Sequence, residues 1–94
     1  MIRREGARIM VSGPVTLANV AGLLEEGRRH LAEGVRSVDF GEVTEMDSAA
    51  LALCLAWLRD AKSKGGGAIT FSNLPESLQT IARLYGVHSL LPLH

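Results

Sequence analysis

Glu45, Asp47 and Ser48 crowd two carboxylates and a hydroxyl together, and an imidazole, His88, lies far down the chain. A hydroxyl in such company can attack a carbonyl, accept a phosphoryl group, or touch a partner. Attack needs a base within hydrogen-bond reach and a strained turn that lifts the oxygen clear. Around Ser48 the sequence reads Met46-Asp47-Ser48-Ala49-Ala50, with no G-x-S-x-G elbow. Nothing in the spacing brings His88 to Ser48, so a hydrolase triad is not supported. "KSKGGGA" lacks the G-x-x-x-x-G-K-[ST] order of a phosphate loop, and its glycines precede a strand rather than a helix. His30, His88 and His94 have no metal-ligand spacing. The reading is therefore a non-catalytic binding module, with no catalytic residue, cofactor or metal expected.

What remains for Ser48 follows from the helix it heads. Asp47 or Ser48 can accept a free backbone N–H of the first turn, a cap contributing about 1 kcal/mol. A phosphate on Ser48 would be favoured by the helix dipole. Asp47, Glu45 and Glu42 would oppose it unless a partner supplied Arg or Lys.

After Ser48 come ten residues, Ala49 to Leu58, without a polar side chain. At about 100° per residue, Leu55 and Leu58 fall within about 40° of Leu51. That stripe is expected to face a sheet, extended on one side by Cys54, Ala61, Ala50 and Trp57. Trp57 reads as a packing residue. Ser48, Ala52, Ala56 and Ser63, with Arg59 among them, form a row of small side chains on the other side. Such a row is either a flat surface for a partner backbone or simply alanine used as a good helix former.

The other elements read as an α/β domain. Ala7 to Ser12 alternates as a strand. Thr16 can cap a helix carrying Val20, Leu23, Leu24 and Leu31, which Gly34 ends. Val35 to Phe40 is a second strand, and Gly41 to Met46 a loop into the apolar helix. Lys62 and Lys64 suit that helix's C-terminal dipole, and Gly65 to Gly67 ends it. Ala68 to Ser72 is a strand. Pro75 opens a helix with Leu78, Ile81, Ala82 and Tyr85 at helical spacing, closed by Gly86. "VHSLLPLH" is a short apolar tail.

Ten basic and ten acidic residues cancel, so no charge excess argues for nucleic acid or an anionic membrane surface. The one cysteine, Cys54, excludes an internal disulfide and fits a reducing compartment. Arg3 and Arg4 have no apolar segment behind them, so no export signal is read. The longest apolar run is about half of a membrane span. The expectation is one soluble cytoplasmic domain over residues 1–94.

The stretch "VDFGEVTEMDSAALALCL" resembles the signature of STAS domains, the sulphate-transporter and anti-sigma-factor-antagonist family, roughly V-D-L-S-x-V-x-x-x-D-S/T-[SA]-G-L-x-x-L. "VSGPVTLANVAGLLEEG" and "LPESLQTIARLYGVHSLLP" are similar to one branch, the small STAS subunit of the Mla phospholipid transporter of Gram-negative bacteria. Phe40-Gly41 stands where Leu-Ser is common, and Ala50 where Gly is usual. The resemblance implies a single STAS-like domain, a mixed four- to five-stranded sheet with three to four helices. It also implies an accessory subunit without enzymatic activity. Its partner would be the ATPase of an ABC transporter that moves phospholipids between inner and outer membranes, maintaining outer-membrane lipid asymmetry. The chain would meet the membrane only through that complex. The family's functional threonine falls on Ser48. The expected contact surface is Asp47, Ser48, Ala49, Ala52, Ala56 and Arg59. The alternative is an anti-sigma-factor antagonist, with Ser48 phosphorylated by a partner kinase.

Overall fold

Alternation on two neighbouring strands sets the architecture. In β2 (Arg8–Val15), Ile9, Val11 and Val15 are buried on one face. In β3 (Ser37–Met46), Val38 and Phe40 are buried on that same side. The two pair in parallel, so a crossover must join them. Helix α1 (Val20–Ala32) is that crossover. Helix α2 (Ala49–Ser63) makes the next one, to β4 (Thr70–Ser72), also parallel to β3. A short β1 (Ile2–Glu5) pairs antiparallel with β2, and α3 (Glu76–Leu84) closes the described order. The sheet is mixed and four-stranded, in the order β1-β2-β3-β4. This computed structural model describes residues 1–63 and 69–86. The expected features at Lys64, Gly65 to Gly67 and Ala68 lie outside the described residues. So do the tail Val87 to His94, with His88 and His94, and the side chain of Ser63.

Four local expectations are corrected. The first concerns the N-terminus, where β1 was not read. Glu5 pairs with Arg8 across a two-residue turn whose first residue, Gly6, has φ +62°. A turn of this kind needs glycine in that place. The second concerns Thr16, which does not cap α1. Its carbonyl accepts from the Asn19 and Val20 N–H groups, and the helix begins only at Val20. Asn19 instead ties the loop, accepting from the Thr16 N–H at 2.9 Å and donating to the Pro14 carbonyl at 2.7 Å.

Third, Gly41 to Met46 is strand, not loop. Its apolar residues, Phe40, Val43 and Met46, recur every third position, which fits neither period. Two β-bulges explain this. Phe40 and Gly41 together oppose Val11, and Thr44 is extra between the pairs Gly13↔Val43 and Pro14↔Glu45. Each bulge shifts the alternation by one. Val43 and Met46 thereby pack against the core, while Glu42 and Glu45 stay exposed.

Fourth, the buried face of α2 is rotated from the expected stripe. Ala50, Leu51, Leu53, Cys54, Trp57 and Ala61 are buried; Leu55 and Leu58 are only half-buried. The cause is Trp57, which is wholly buried where α1 and α2 cross. Its indole lies over Gly27 so closely that a Cβ there would overlap the ring atoms. Its Nε1–H donates to the Leu24 carbonyl at 3.2 Å. The largest apolar side chain on the helix, with one polar handle to satisfy, fixes the rotation. On α3, Leu78 and Ala82 are buried and Ile81 half-buried, but Tyr85 is 64% exposed, lying just past the last helical residue.

The opposite face of the sheet is charged around one buried apolar residue, Met10, which pairs with Arg3 and Asp39. Arg3 reaches Glu5 at 3.7 Å and Glu42 at 3.4 Å, and Arg8 reaches Asp39 at 3.8 Å. Asp39 is the buried carboxylate of this face; its Oδ1 accepts from the Gly41 N–H at 2.7 Å and from Asn73 Nδ2 at 3.1 Å. Asn73 holds φ +55°, so Asp39 anchors the strained residue that turns β4 toward α3.

Gly27→Ala is expected to destabilise the fold by about 1–3 kcal/mol through overpacking against Trp57. Urea unfolding followed by Trp57 fluorescence measures it; an unchanged midpoint would contradict the packing described.

Candidate functional site

The site forms where β3 ends and α2 begins, at the C-terminal edge of the parallel strands. The Asp47 N–H donates to the Val15 carbonyl at 3.3 Å, the last tie between β3 and β2. The Asp47 carboxylate then serves two segments. Oδ1 accepts from the Ala49 N–H at 2.8 Å, and Oδ2 accepts from the Leu17 N–H at 3.1 Å. The first bond caps α2 and the second pins the loop between β2 and α1 beside it. Of the two candidate caps in the sequence, Asp47 takes the role.

Ser48 is thereby left with its side chain exposed, while its carbonyl accepts the Leu51 and Ala52 N–H groups at 3.1 and 3.3 Å. Helix capping does not need its hydroxyl. Ala49 and Ala56 are half-buried, and Ala52 and Arg59 are exposed. Ser48, Ala52 and Ala56 are spaced by one turn, so they run as a strip along one side of α2. Asp47, Ser48 and Ala49 sit together at its head. Arg59 stands apart, about 16 Å farther along the axis by the helical rise. There it lines, with Leu55, Leu58 and Lys62, a shallow groove of about 370 Å³.

At the two departures from the signature, Phe40 and Ala50 are buried and Gly41 is exposed. Ala50 is fully buried, so its methyl fills core space and does not obstruct the surface. A Cβ at Gly41 would stand 3.0 Å from Asp39 Oδ1, so glycine lets the bulge close on that carboxylate. Cys54 is also buried, and burial pushes its thiol well above the ordinary range. A protonated, enclosed thiol is not a nucleophile. Among the described residues, no cluster of His, Cys, Asp and Glu could hold a metal ion, and no helix is long and apolar enough to cross a membrane.

Sequence reading missed Leu17, which is 79% exposed and held next to the α2 head by its bond to Asp47. That contact spans 30 residues, and only the Asp47 side chain reveals it. It also missed Asp39, whose place in "VDF" was read only as part of the signature.

This arrangement, a capped helix presenting a bare hydroxyl from a mixed sheet, can be set beside known proteins. The sequence model described as Mlab, STAS domain, matches residues 1–92. The chain belongs to the Mlab STAS family. Among curated proteins, none matches the chain in sequence. Several solved structures share the fold. One is the anti-sigma factor antagonist SpoIIAA in its unphosphorylated form, with TM-score 0.72 and 14% identity over 100% of this chain and 86% of that one. The phosphorylated form of SpoIIAA, a Bacillus cell fate determinant, gives TM-score 0.68 and 14% identity over 100% and 89%. A Thermotoga maritima protein named as a candidate anti-sigma factor antagonist gives TM-score 0.75 and 13% identity over 99% and 83%. At such identities the likeness establishes the fold.

Because Asp47 carries the cap, Asp47→Ala is expected to destabilise the chain by about 0.5–2 kcal/mol. Ser48→Ala, at an exposed position without that duty, should stay within about 0.5 kcal/mol. Chemical denaturation of both variants tests the division of labour; the reverse order would contradict it.

Proposed function

We propose that this Mlab-family STAS domain is a non-catalytic cytoplasmic subunit that binds and supports the ATPase of an Mla-type ABC transporter moving phospholipids between membranes. The observation that carries the reading is the bare Ser48 hydroxyl. With Asp47 taking the cap, the serine heads an exposed strip of small residues instead of closing a helix end. Ala49, Ala52 and Ala56 keep that strip low, so a partner backbone can come close, and Arg59 offers a charge at its far end. Family membership supports a transporter ATPase as the partner class. The core side of the same helix is filled by Trp57, Cys54 and Ala61, so the docking strip can vary without loss of the fold.

A second reading has its own support. SpoIIAA is solved in a phosphorylated form, and a phosphate on Ser48 here would sit at the head of α2, where free N–H groups and the dipole favour an anion. In that reading the partner is an anti-sigma-factor kinase. Asp47 and Glu45 stand against it, since both add like charge beside the modified oxygen.

Ser48→Glu and Ala52→Arg are each expected to weaken ATPase binding at least tenfold while leaving the unfolding midpoint within about 0.5 kcal/mol of the parent. Titration calorimetry against the purified ATPase subunit reads both. Unchanged affinity in both variants would remove the proposed surface. Under the kinase reading, incubation with the cognate kinase and ATP adds one phosphate, seen by intact mass and lost in Ser48→Ala.

A further inference from the structure

The long central strand is paired unequally on its two sides. β2 runs beside β3 from Ser37 to Met46, but β4 pairs only Ser37, Val38 and Asp39. Among the described residues, no strand lies against Gly41 to Met46 on the β4 side. A cleft of about 270 Å³ lies there, lined by Val43, Thr44, Glu45, Met46, Pro75 and Ser77, between the strand and the start of α3. We infer that this open edge of β3 receives an extended basic segment of the partner protein as an added strand. The inference rests on the partner-binding reading above and names a second part of the same contact.

Backbone chemistry sets the shape of the occupant. An open strand edge presents alternating N–H and C=O groups, which another extended chain satisfies best. The side chains set its character. The bulges place Val43 and Met46, both half-buried, on the core face, and Glu42 and Glu45 on the outer face. An added strand would cover the two apolar residues with one set of alternate side chains. Its other set would meet the carboxylates. Glu42 already has Arg3 at 3.4 Å, whereas Glu45 is exposed. A Lys or Arg opposite Glu45 fits.

Charge also decides between occupants. Two copies paired edge to edge would set Glu42 and Glu45 against their own kind, which is destabilising. The chain's own tail, Val87 to His94, contains no Lys or Arg. A heterologous basic strand meets neither objection. The edge also ends two residues before Ser48, so one partner can cover both.

Hydrogen–deuterium exchange on the full chain, alone and bound to the purified ATPase subunit of its transporter, tests this. The expected result is fast exchange in the free chain at those amides of residues 42–46 that point away from β2, slowed at least tenfold in the complex. Glu45→Lys should weaken the complex at least tenfold without moving the unfolding midpoint. A complex that forms with unchanged exchange over 42–46 would overturn the added strand and leave the functional reading standing. Slow exchange already present in the free chain would overturn it too, since the chain itself would cover the edge. Failure of any complex to form would overturn both.

Discussion

One carboxylate organises the functional end of this molecule. Asp47 stands where the strand gives way to the helix, and each of its oxygens accepts a backbone N–H from a different segment. A helix start leaves N–H groups without partners, and so does the loop beside it. Satisfying both from one side chain fixes the distance between Leu17 and the α2 head. It also releases Ser48 from structural duty. If Ser48 were the cap, its hydroxyl would be committed inward, and neither docking nor modification could use it without loosening the helix. The surface chemistry of the site thus depends on a neighbour that does the structural work.

The same separation runs along α2. Trp57 closes on Gly27 and donates to the Leu24 carbonyl, which locks the rotation of the helix against α1. Once the indole is placed, Ala50, Leu53, Cys54 and Ala61 must face inward, and Ala52, Arg59 and Ser48 must face out. Arg28 adds a surface tie between the two helices, bonding Asp60 at 2.6 Å and Glu25 at 2.7 Å. Such exposed pairs add little stability, so packing at Gly27 and Trp57 is the lock. A helix that is apolar nearly all round therefore has two different apolar faces: one that fills the core and one of small side chains that leaves a surface flat.

The strand–helix alternation, the helix ends at Gly34 and Gly86, and the exposure of Ser48, Ala52 and Arg59 were all legible in the sequence, because local periodicity and turn chemistry carry them. What escaped depended on contacts between distant residues. The helix stripe was drawn through Leu51, Leu55 and Leu58 because leucine spacing was the visible signal, whereas the deciding partner, Gly27, lies 30 positions before Trp57 on another helix. The Gly41 to Met46 strand looked irregular because bulges break the two-residue period, and a bulge is defined only by the strand opposite. The β1 hairpin lay hidden in the charged stretch Arg3-Arg4-Glu5, whose arginines find their partners, Glu42 and Glu33, far along the chain. Between Asp47 and Ser48 the sequence left the cap open; the bond to Ala49 resolved it.

In the proposed function, this domain docks on a transporter ATPase. The most direct measurement is to tag the protein in the cells that make it, solubilise the membranes gently and identify what co-purifies by mass spectrometry. The account predicts an ABC ATPase together with its permease, lost or reduced when Ser48 is changed to Glu. Recovery of a soluble serine kinase in their place, with phosphate on Ser48, would contradict it and make the same hydroxyl a phosphorylation switch.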